Sequence, residues 1–150
     1  MKAVIQRVDE AIVNINNIQK SRIKKGLLIL VGIENNDSDE DIEWLAKKII
    51  NLRIFNDGGG IMNLSVKEIE GEMMVISQFT LHAKIKKGNR PSYINAAKPE
   101  IAIPVYEKFV NELKLLSGKD IKTGEFGAMM NISLINNGPV TIIIDTKNKE

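Results

Sequence analysis

The sequence contains no cysteine among its 150 residues, and its single histidine is His82. The absence of cysteine excludes disulfide bonds, thiolate zinc sites, iron–sulfur clusters and cysteine nucleophiles. One imidazole cannot form a multi-histidine metal centre unless several copies of the chain meet at one site. We therefore expect no metal site within one chain.

Long hydrophobic runs are also absent, since the longest uninterrupted stretches are short, such as Leu27 to Val31. A helix that crosses a bilayer needs about 20 apolar residues, so we expect no membrane-spanning segment. The first residues, Met1 to Arg7, become polar at once and lack the apolar stretch of a secretion signal. These observations predict a cytoplasmic location.

Charge of one sign is not in excess, because 21 Lys and Arg face 19 Asp and Glu, a formal net charge of +2. The densest basic stretch is 84–90, and its cationic residues are Lys84, Lys86, Lys87 and Arg90. Such a cluster is commonly a solvated loop. Grouped Lys and Arg also supply the affinity of proteins for nucleic acid backbones. Composition alone leaves both interpretations open.

No repeat, low-complexity tract or Pro/Ser-rich linker divides the chain, and its length suits one domain. We therefore expect a single domain over residues 1–150, ending in a short charged tail, 146–150. The first third alternates as strands do, up to a buried run at Lys25–Ile33. The acidic segment after this run then opens a helix that Asp37 or Ser38 caps, with acids near the positive end of the helix dipole.

The second half of the chain predicts further elements of both kinds. Hydrophobic spacing indicates a strand at Glu72–Leu81 and a helix at about Pro99–Leu116, which Gly118 ends. The region from Ala128 to Ile144 is typical of a hairpin with a turn at Asn136–Pro139. About seven strands and two main helices predict an α+β fold around a curved, largely antiparallel, barrel-like sheet.

One pair of side chains offers a local hypothesis for catalysis. Thr80 and His82 are two residues apart in the predicted strand, so both side chains would point to one face. A hydroxyl beside an imidazole is the beginning of a nucleophile–base pair. No third residue is evident to orient the ring, and we favour the alternative that His82 is a surface histidine at the end of a strand.

Two segments, Ser77–Leu81 (Ser-Gln-Phe-Thr-Leu) and Asn137–Thr141 (Asn-Gly-Pro-Val-Thr), resemble the two signature motifs of the D-aminoacyl-tRNA deacylase family. Further matches follow along the chain: Ile5–Val8, Arg53–Asp57, Met62–Leu64, Gly88–Ser92 and Thr123–Met130. Each match is weak by itself, but together, in this order, they cover almost the whole chain. His82 lies outside the motif, which weakens the pairing with Thr80.

The resemblance implies an esterase that hydrolyses D-aminoacyl-tRNA, and glycine mischarged on tRNA, while it spares L-aminoacyl-tRNA. It implies a homodimer with no metal or organic cofactor and with tRNA as its partner. The implied catalytic residues are Ser77, Gln78, Phe79 and Thr80. Their backbone N–H groups would stabilise the oxyanion, and the 2′-hydroxyl of the tRNA ribose would help to activate water. This account gives the Thr80 hydroxyl no nucleophilic role.

The resemblance also implies how one stereoisomer is excluded. In the family, a glycine–cis-proline element of one subunit enters the active site of the other, and here that element is Gly138 and Pro139. Its carbonyl oxygens would form a wall that an L side chain strikes and a D side chain avoids. Arg7 would brace the element, while Phe79, Phe126 and Met130 would line the pocket for the amino acid and the terminal adenosine. From the residues alone, an ordinary trans proline in a turn explains this dipeptide as well.

Two alternatives to a deacylase of this kind remain open. A catalytically silent, dimeric tRNA-binding module on the same fold would bind tRNA and leave it charged. A related editing domain acting on an L-amino acid would show a different chiral preference. With a tRNA substrate, the four cations of the basic stretch would reach phosphates of the acceptor stem.

Overall fold

The computed structural model describes residues 1–150 and consists of a sheet nearly closed into a barrel, together with two α-helices. The helices are α1 (Asp39–Asn51) and α2 (Pro99–Ser117), and a 3-10 turn covers Phe79–His82. The strands are β1 (Lys2–Ile15), β2 (Ile18–Ile23), β3 (Gly26–Gly32), β4 (Phe55–Asn56), β5 (Met62–Leu64), β6 (Glu72–Ser77), β7 (Lys122–Thr123) and β8 (Asn131–Asp145). The predicted α+β class with two main helices is confirmed.

The sheet is organised around β1. The N-terminal half of β1 pairs with β3 and its C-terminal half with β2, while β8 pairs with β1 as well, all antiparallel. β3, β6 and β7 run parallel to one another. The Ser21 hydroxyl of β2 donates a hydrogen bond of 2.7 Å to the Thr123 carbonyl oxygen in β7. This bond links β2 to β7 across the curved sheet.

The main core contains residues from the sheet and from both helices, among them Ile5, Leu27, Ile29, Leu45 and Phe109. A second cluster of buried residues packs separately: Val8, Ala11, Val13, Ile23, Leu28, Met74 and Ile76. Neighbouring residues of β3 therefore join different clusters and are buried on both faces of the sheet. This explains why β3 reads as one continuous apolar run.

The start of α1 and both ends of α2 lie where the sequence indicated them. Ser38 is the N-cap of α1, and its N–H donates a hydrogen bond of 2.9 Å to the Asp41 carboxylate. Pro99 begins α2, where a missing N–H breaks no hydrogen bond. Gly118 ends α2 with a φ of +69°. Neither helix is long and apolar enough to cross a bilayer.

The expected tail begins with residues that pack against the start of α1. Thr146 is 4% exposed, and Lys147 Nζ lies 2.6 Å from the Asp41 carboxylate. Burial alone would raise the pKa of Asp41, but hydrogen bonds from Lys147, Thr146 and Ser38 hold that pKa well below its ordinary value. The first residues of the segment 146–150 are therefore ordered by a charged contact with α1.

The predicted hairpin at the end of the chain is wrong, because Asn131–Asp145 forms one strand, β8. β1 has 14 residues and offers this strand one long antiparallel partner. Where a turn was expected, the register shifts so that one residue of β1, Arg7, faces the residues 137–140. These residues bulge out of the ladder, which is how an antiparallel pair accommodates extra residues.

Candidate active site

The first signature segment, Ser77–Leu81, follows the carboxyl end of β6. The strand ends at Ser77 and the chain turns into the 3-10 turn, so the strand predicted to reach Leu81 is too long. The N–H of Gln78 donates a hydrogen bond of 2.7 Å to the Val31 carbonyl oxygen in β3. The segment is therefore fixed at the carboxyl ends of two parallel strands, a common position for ligand sites.

The turn leaves the backbone N–H groups of Phe79 and Thr80 without an acceptor in the chain. This is expected at the start of a helical turn, where the first N–H groups have no intrahelical partner. The Thr80 hydroxyl accepts a hydrogen bond from the Gln78 side-chain amide, with 2.5 Å between Nε2 and Oγ1. The segment thus offers free backbone donors, while its hydroxyl is engaged by a neighbouring amide.

His82 is not the surface histidine favoured from the sequence, because its side chain is 2% exposed. Its Nδ1 lies 3.2 Å from Oε1 of Glu34. In a 3-10 turn, which has about three residues per turn, positions two apart point in different directions. The predicted shared face of Thr80 and His82 is therefore wrong, and the nucleophile–base pair loses its geometric basis.

An apolar cavity of about 370 Å³ lies beside the turn, and 11 of its 14 lining residues are hydrophobic. Five of the predicted site residues line it: Ser77, Gln78, Phe79, Phe126 and Met130. Thr80 does not line it. The structure therefore brings the first signature segment and the predicted pocket residues to one place.

Phe126 and Met130 reach this cavity from the loop between β7 and β8. Gly124 permits the close approach of Met130, because a Cβ there would collide with the Met130 sulfur. The Phe126 ring packs edge-on against Tyr106 of α2, with ring centroids 5.8 Å apart. The Tyr106 hydroxyl donates a hydrogen bond of 2.9 Å to the Val75 carbonyl oxygen in β6, and burial raises the pKa of Tyr106 to about 12. One tyrosine thus supports both the cavity wall and β6.

The second signature segment lies in the bulge of β8. The Gly138–Pro139 peptide bond is cis, Gly138 has a φ of +124°, and both residues are exposed. Arg7 is 8% exposed and donates three hydrogen bonds: from Nε to the Asn137 carbonyl oxygen at 3.1 Å, and from Nη1 to the Ile54 carbonyl oxygen at 2.7 Å and to Asn56 Oδ1 at 3.3 Å. The guanidinium therefore ties the residue before Gly138 to the chain that precedes β4.

The two signature segments do not share a cavity within one chain. Arg7 and Asn137 line a second cavity of about 210 Å³. This second cavity has no lining residue in common with the apolar one, and Gly138 and Pro139 line neither. One chain therefore presents the two segments at separate places.

The four cations of the basic stretch are exposed: Lys84, Lys86, Lys87 and Arg90. Reciprocal backbone hydrogen bonds of 2.8 and 3.0 Å between Lys84 and Ser92 close the loop that carries them. None of the four pairs with a carboxylate. The loop thus presents free positive charge close in sequence to the first signature segment.

Three residues at the site were not singled out from the sequence. Tyr93 packs edge-on against Phe79, with ring centroids 5.0 Å apart. Met129 lines the apolar cavity and is 88% exposed. Glu34 contacts His82. The matched motifs adjoin Tyr93 and contain Met129, so the sequence carries a signal for both. Helix capping by itself accounts for the acidic segment that contains Glu34, so nothing in the sequence points to Glu34.

Comparison with known proteins agrees with these features. Residues 4–145 match the family model described as D-Tyr-tRNA(Tyr) deacylase. Proteins named D-aminoacyl-tRNA deacylase from Bacteroides fragilis and Flavobacterium psychrophilum are each 65% identical over 150 residues, which is 100% of both chains. The resemblance found from the signature motifs is therefore confirmed over the length of the chain.

Two solved structures have the same fold. One, named c-Myc DNA Unwinding Element Binding Protein, superposes with a TM-score of 0.91 at 38% identity and covers 97% of this chain and 98% of its own. The other, described as a probable eukaryotic D-amino acid tRNA deacylase, superposes with a TM-score of 0.83 over 95% and 97% of the two chains. Its identity is 16%, so this second likeness supports the fold alone.

Proposed function

Because the chain belongs to the D-Tyr-tRNA(Tyr) deacylase family, we propose that it hydrolyses the ester bond of D-aminoacyl-tRNA and releases free tRNA and the D-amino acid. Glycine mischarged on tRNA is a second proposed substrate, since it has no side chain to exclude. The names of the full-length relatives support this reaction. The observation that carries the proposal is the pair of unpartnered N–H groups at Phe79 and Thr80 beside an apolar cavity.

The proposed chemistry uses these N–H groups as an oxyanion hole. When water attacks the ester, its carbonyl oxygen becomes negative, and one fixed donor contributes about 3–4 kcal/mol to such a transition state in known enzymes. The ribose 2′-hydroxyl next to the ester would help to activate water, so the protein needs no histidine base. The burial of His82 and the engaged hydroxyl of Thr80 are consistent with this division of labour.

Stereochemical selection is assigned to Gly138 and Pro139. The two mirror-image esters have the same charge and composition, so only a rigid surface distinguishes them. Arg7 holds the carbonyl group just before this dipeptide and is itself held by Ile54. A wall supported in this way would strike an L side chain and let a D side chain or glycine pass.

The proposal requires a homodimer. Gly138 and Pro139 are exposed and do not line the cavity of their own chain, so the wall has to come from a second copy. β8 carries apolar side chains that such an association would cover: Leu134, Ile135 and Ile143, which are 37%, 56% and 75% exposed. Each copy would then complete the site of the other.

The tRNA is proposed to contact the basic stretch 84–90. Four exposed, unpaired cations in one loop would bind phosphates of the acceptor stem with a salt-dependent affinity. Charged tRNA is used in the cytoplasm, so we expect the protein to act there.

Incubation with D-tyrosyl-tRNA, L-tyrosyl-tRNA and glycyl-tRNA tests the proposal. We expect the D and glycyl esters to be hydrolysed and the L ester to stay charged. Binding of tRNA without deacylation would favour the non-catalytic module, and faster hydrolysis of the L ester would favour an L-specific editing domain. Either result contradicts the proposal. Sedimentation should give twice the mass of one chain, and a monomer that deacylates the D ester selectively would contradict the shared site.

A further inference from the structure

His82 contains the one buried side-chain polar atom in the molecule that has no hydrogen-bond partner, its Nε2. The side chain is 2% exposed, and its other nitrogen, Nδ1, lies 3.2 Å from Oε1 of Glu34. An unpaired buried nitrogen destabilises a fold, and an aliphatic residue of similar volume would avoid that cost. The imidazole therefore provides something that packing alone does not, namely its contact with Glu34.

The 3-10 turn is attached to the end of β3 at two points. At its start, the N–H of Gln78 donates to the Val31 carbonyl oxygen at 2.7 Å. At its end, His82 reaches Glu34, which follows β3 closely in the chain. Glu34 is itself fixed, because its N–H donates a hydrogen bond of 2.8 Å to the Asp37 carboxylate. His82 thus anchors the turn through its side chain to a residue that is held in place.

Gly32, the last residue of β3, brings the turn into direct contact with the backbone of that strand. A Cβ at Gly32 would lie 2.9 Å from the Gln78 carbonyl oxygen and 3.0 Å from Cδ2 of His82. The imidazole is therefore confined by the β3 backbone as well as by Glu34. Its position fixes the end of the turn.

We propose that His82 is a positioning residue for the turn that carries the oxyanion donors. The close contact between its Nδ1 and the Glu34 carboxylate, 3.2 Å, holds the turn so that the N–H groups of Phe79 and Thr80 meet the developing oxyanion. This inference rests on the proposed function, and it gives His82 no contact with the substrate. A displacement of about 1 Å in catalytic geometry lowers a rate about a hundredfold, so loss of the anchor acts on kcat rather than on binding.

His82→Leu and His82→Asn separate the anchor from packing. Leucine keeps most of the volume without a donor, whereas asparagine is smaller and places an amide N–H close to the position of Nδ1. For D-tyrosyl-tRNA we expect kcat to fall about ten- to a hundredfold in His82→Leu, with KM within about twofold of wild type. His82→Asn should recover most of the lost kcat. If His82 served only in packing, His82→Leu would keep a higher kcat than His82→Asn.

Glu34→Met tests the residue that His82 contacts. It should lower kcat as much as His82→Leu, and the double variant should lose no more than either single variant, because both remove one interaction. Glu43→Met is the matched control, since Glu43 is exposed on α1 with 59% of its side-chain surface accessible. Its kcat should equal that of wild type. Additive losses in the double variant would overturn the proposal.

Amide hydrogen exchange at Leu81 and Ala83 reports the anchor without any substrate, because their N–H groups close the turn. Exchange should quicken in His82→Leu and slow again in His82→Asn. If His82→Leu has the same exchange rates and the same kcat as wild type, the proposal is overturned. If wild type deacylates none of the esters, the proposed function fails, and the exchange rates still decide whether His82 orders the turn. Thermal unfolding identifies a leucine variant that does not fold, in which case His82→Asn and Glu34→Met carry the test.

Discussion

The two signature segments of this chain are held in opposite ways. Ser77–Leu81 follows an inner parallel strand, is hydrogen-bonded to β3 and adjoins a cavity of about 370 Å³. Asn137–Thr141 lies in a bulge of β8, and its Gly138 and Pro139 are exposed. Neighbouring backbone holds the first segment, whereas side chains of β1 hold the second: the buried guanidinium of Arg7, together with Asp9 and Gln6.

This difference separates two physical tasks. Stabilising an oxyanion requires donors that stay in place, and a turn fixed to the ends of the inner strands provides them. Rejecting one stereoisomer requires a surface that projects toward another molecule, and a bulge provides it. Both tasks use backbone atoms, so a chain with no cysteine and one histidine has the groups that it needs.

The largest effect is expected from Gly138→Ala, which disturbs the second segment. Gly138 has a φ of +124°, which L residues rarely adopt, and a Cβ there would lie 2.8 Å from both Arg7 Nη2 and Val140 Cγ2. The bulge has to shift, so we expect the ratio of D- to L-tyrosyl-tRNA deacylation rates to fall about a hundredfold. The free energy of unfolding should fall by about 1–3 kcal/mol. Rate measurements on both esters and urea unfolding check these values.

Gly60→Ala is the matched control for Gly138→Ala. Gly60 also has a positive φ, +79°, but an added Cβ would have no atom within 4 Å. This variant should lose stability through backbone strain and keep its stereochemical preference. An unchanged D-to-L ratio in Gly138→Ala would remove the second segment from the selection mechanism.

Features that depend on local chemistry could be predicted from the sequence. Ser38, Pro99 and Gly118 define helix ends through contacts with their nearest neighbours, and all three lie where the structure has these ends. The two signature segments were recognised as continuous strings of residues. For such features, the chain near a residue already contains the information that decides its conformation.

Features that depend on distant partners could not be predicted in this way. The dipeptide Gly138–Pro139 is typical of a turn, but pairing with β1, at the other end of the chain, makes it a bulge within one strand. The buried position of His82 likewise involves residues distant in the sequence, Gly32 at the end of β3 and Glu34 just after it. Separation of the two segments within one chain follows from the sheet topology, which motif spacing does not encode.

An intermediate effect is expected from Tyr106→Phe, which weakens the support of the first segment. The Tyr106 hydroxyl donates to the Val75 carbonyl oxygen at 2.9 Å, close to Ser77. At neutral pH its loss should cost about 1 kcal/mol of unfolding free energy. Urea unfolding of both proteins measures this difference, and activity on D-tyrosyl-tRNA should fall while the stereochemical preference stays as in wild type.

The pH dependence of the free energy of unfolding, measured for wild type and for Tyr106→Phe, tests the burial of Tyr106. The folded pKa is about 12, above the ordinary value of 10.0, so the unfolded chain loses this proton first as pH rises. Wild type therefore loses stability between these two pH values, on the order of 2–3 kcal/mol, and the phenylalanine variant lacks this loss. The stability difference should therefore narrow in alkali and then reverse, with the phenylalanine variant the more stable protein near pH 12. A difference that stays constant with pH would contradict the raised pKa.

The smallest effect is expected from Thr80→Ala, although Thr80 belongs to the first segment. Its hydroxyl is bonded to the Gln78 amide and does not line the cavity, and alanine leaves the backbone N–H in place. We expect kcat for D-tyrosyl-tRNA to stay within about threefold of wild type in single-turnover assays, because the main-chain donor is retained. Near-total loss of activity with unchanged thermal unfolding would instead make the hydroxyl the nucleophile, and the first segment would then act through a side chain rather than through its backbone.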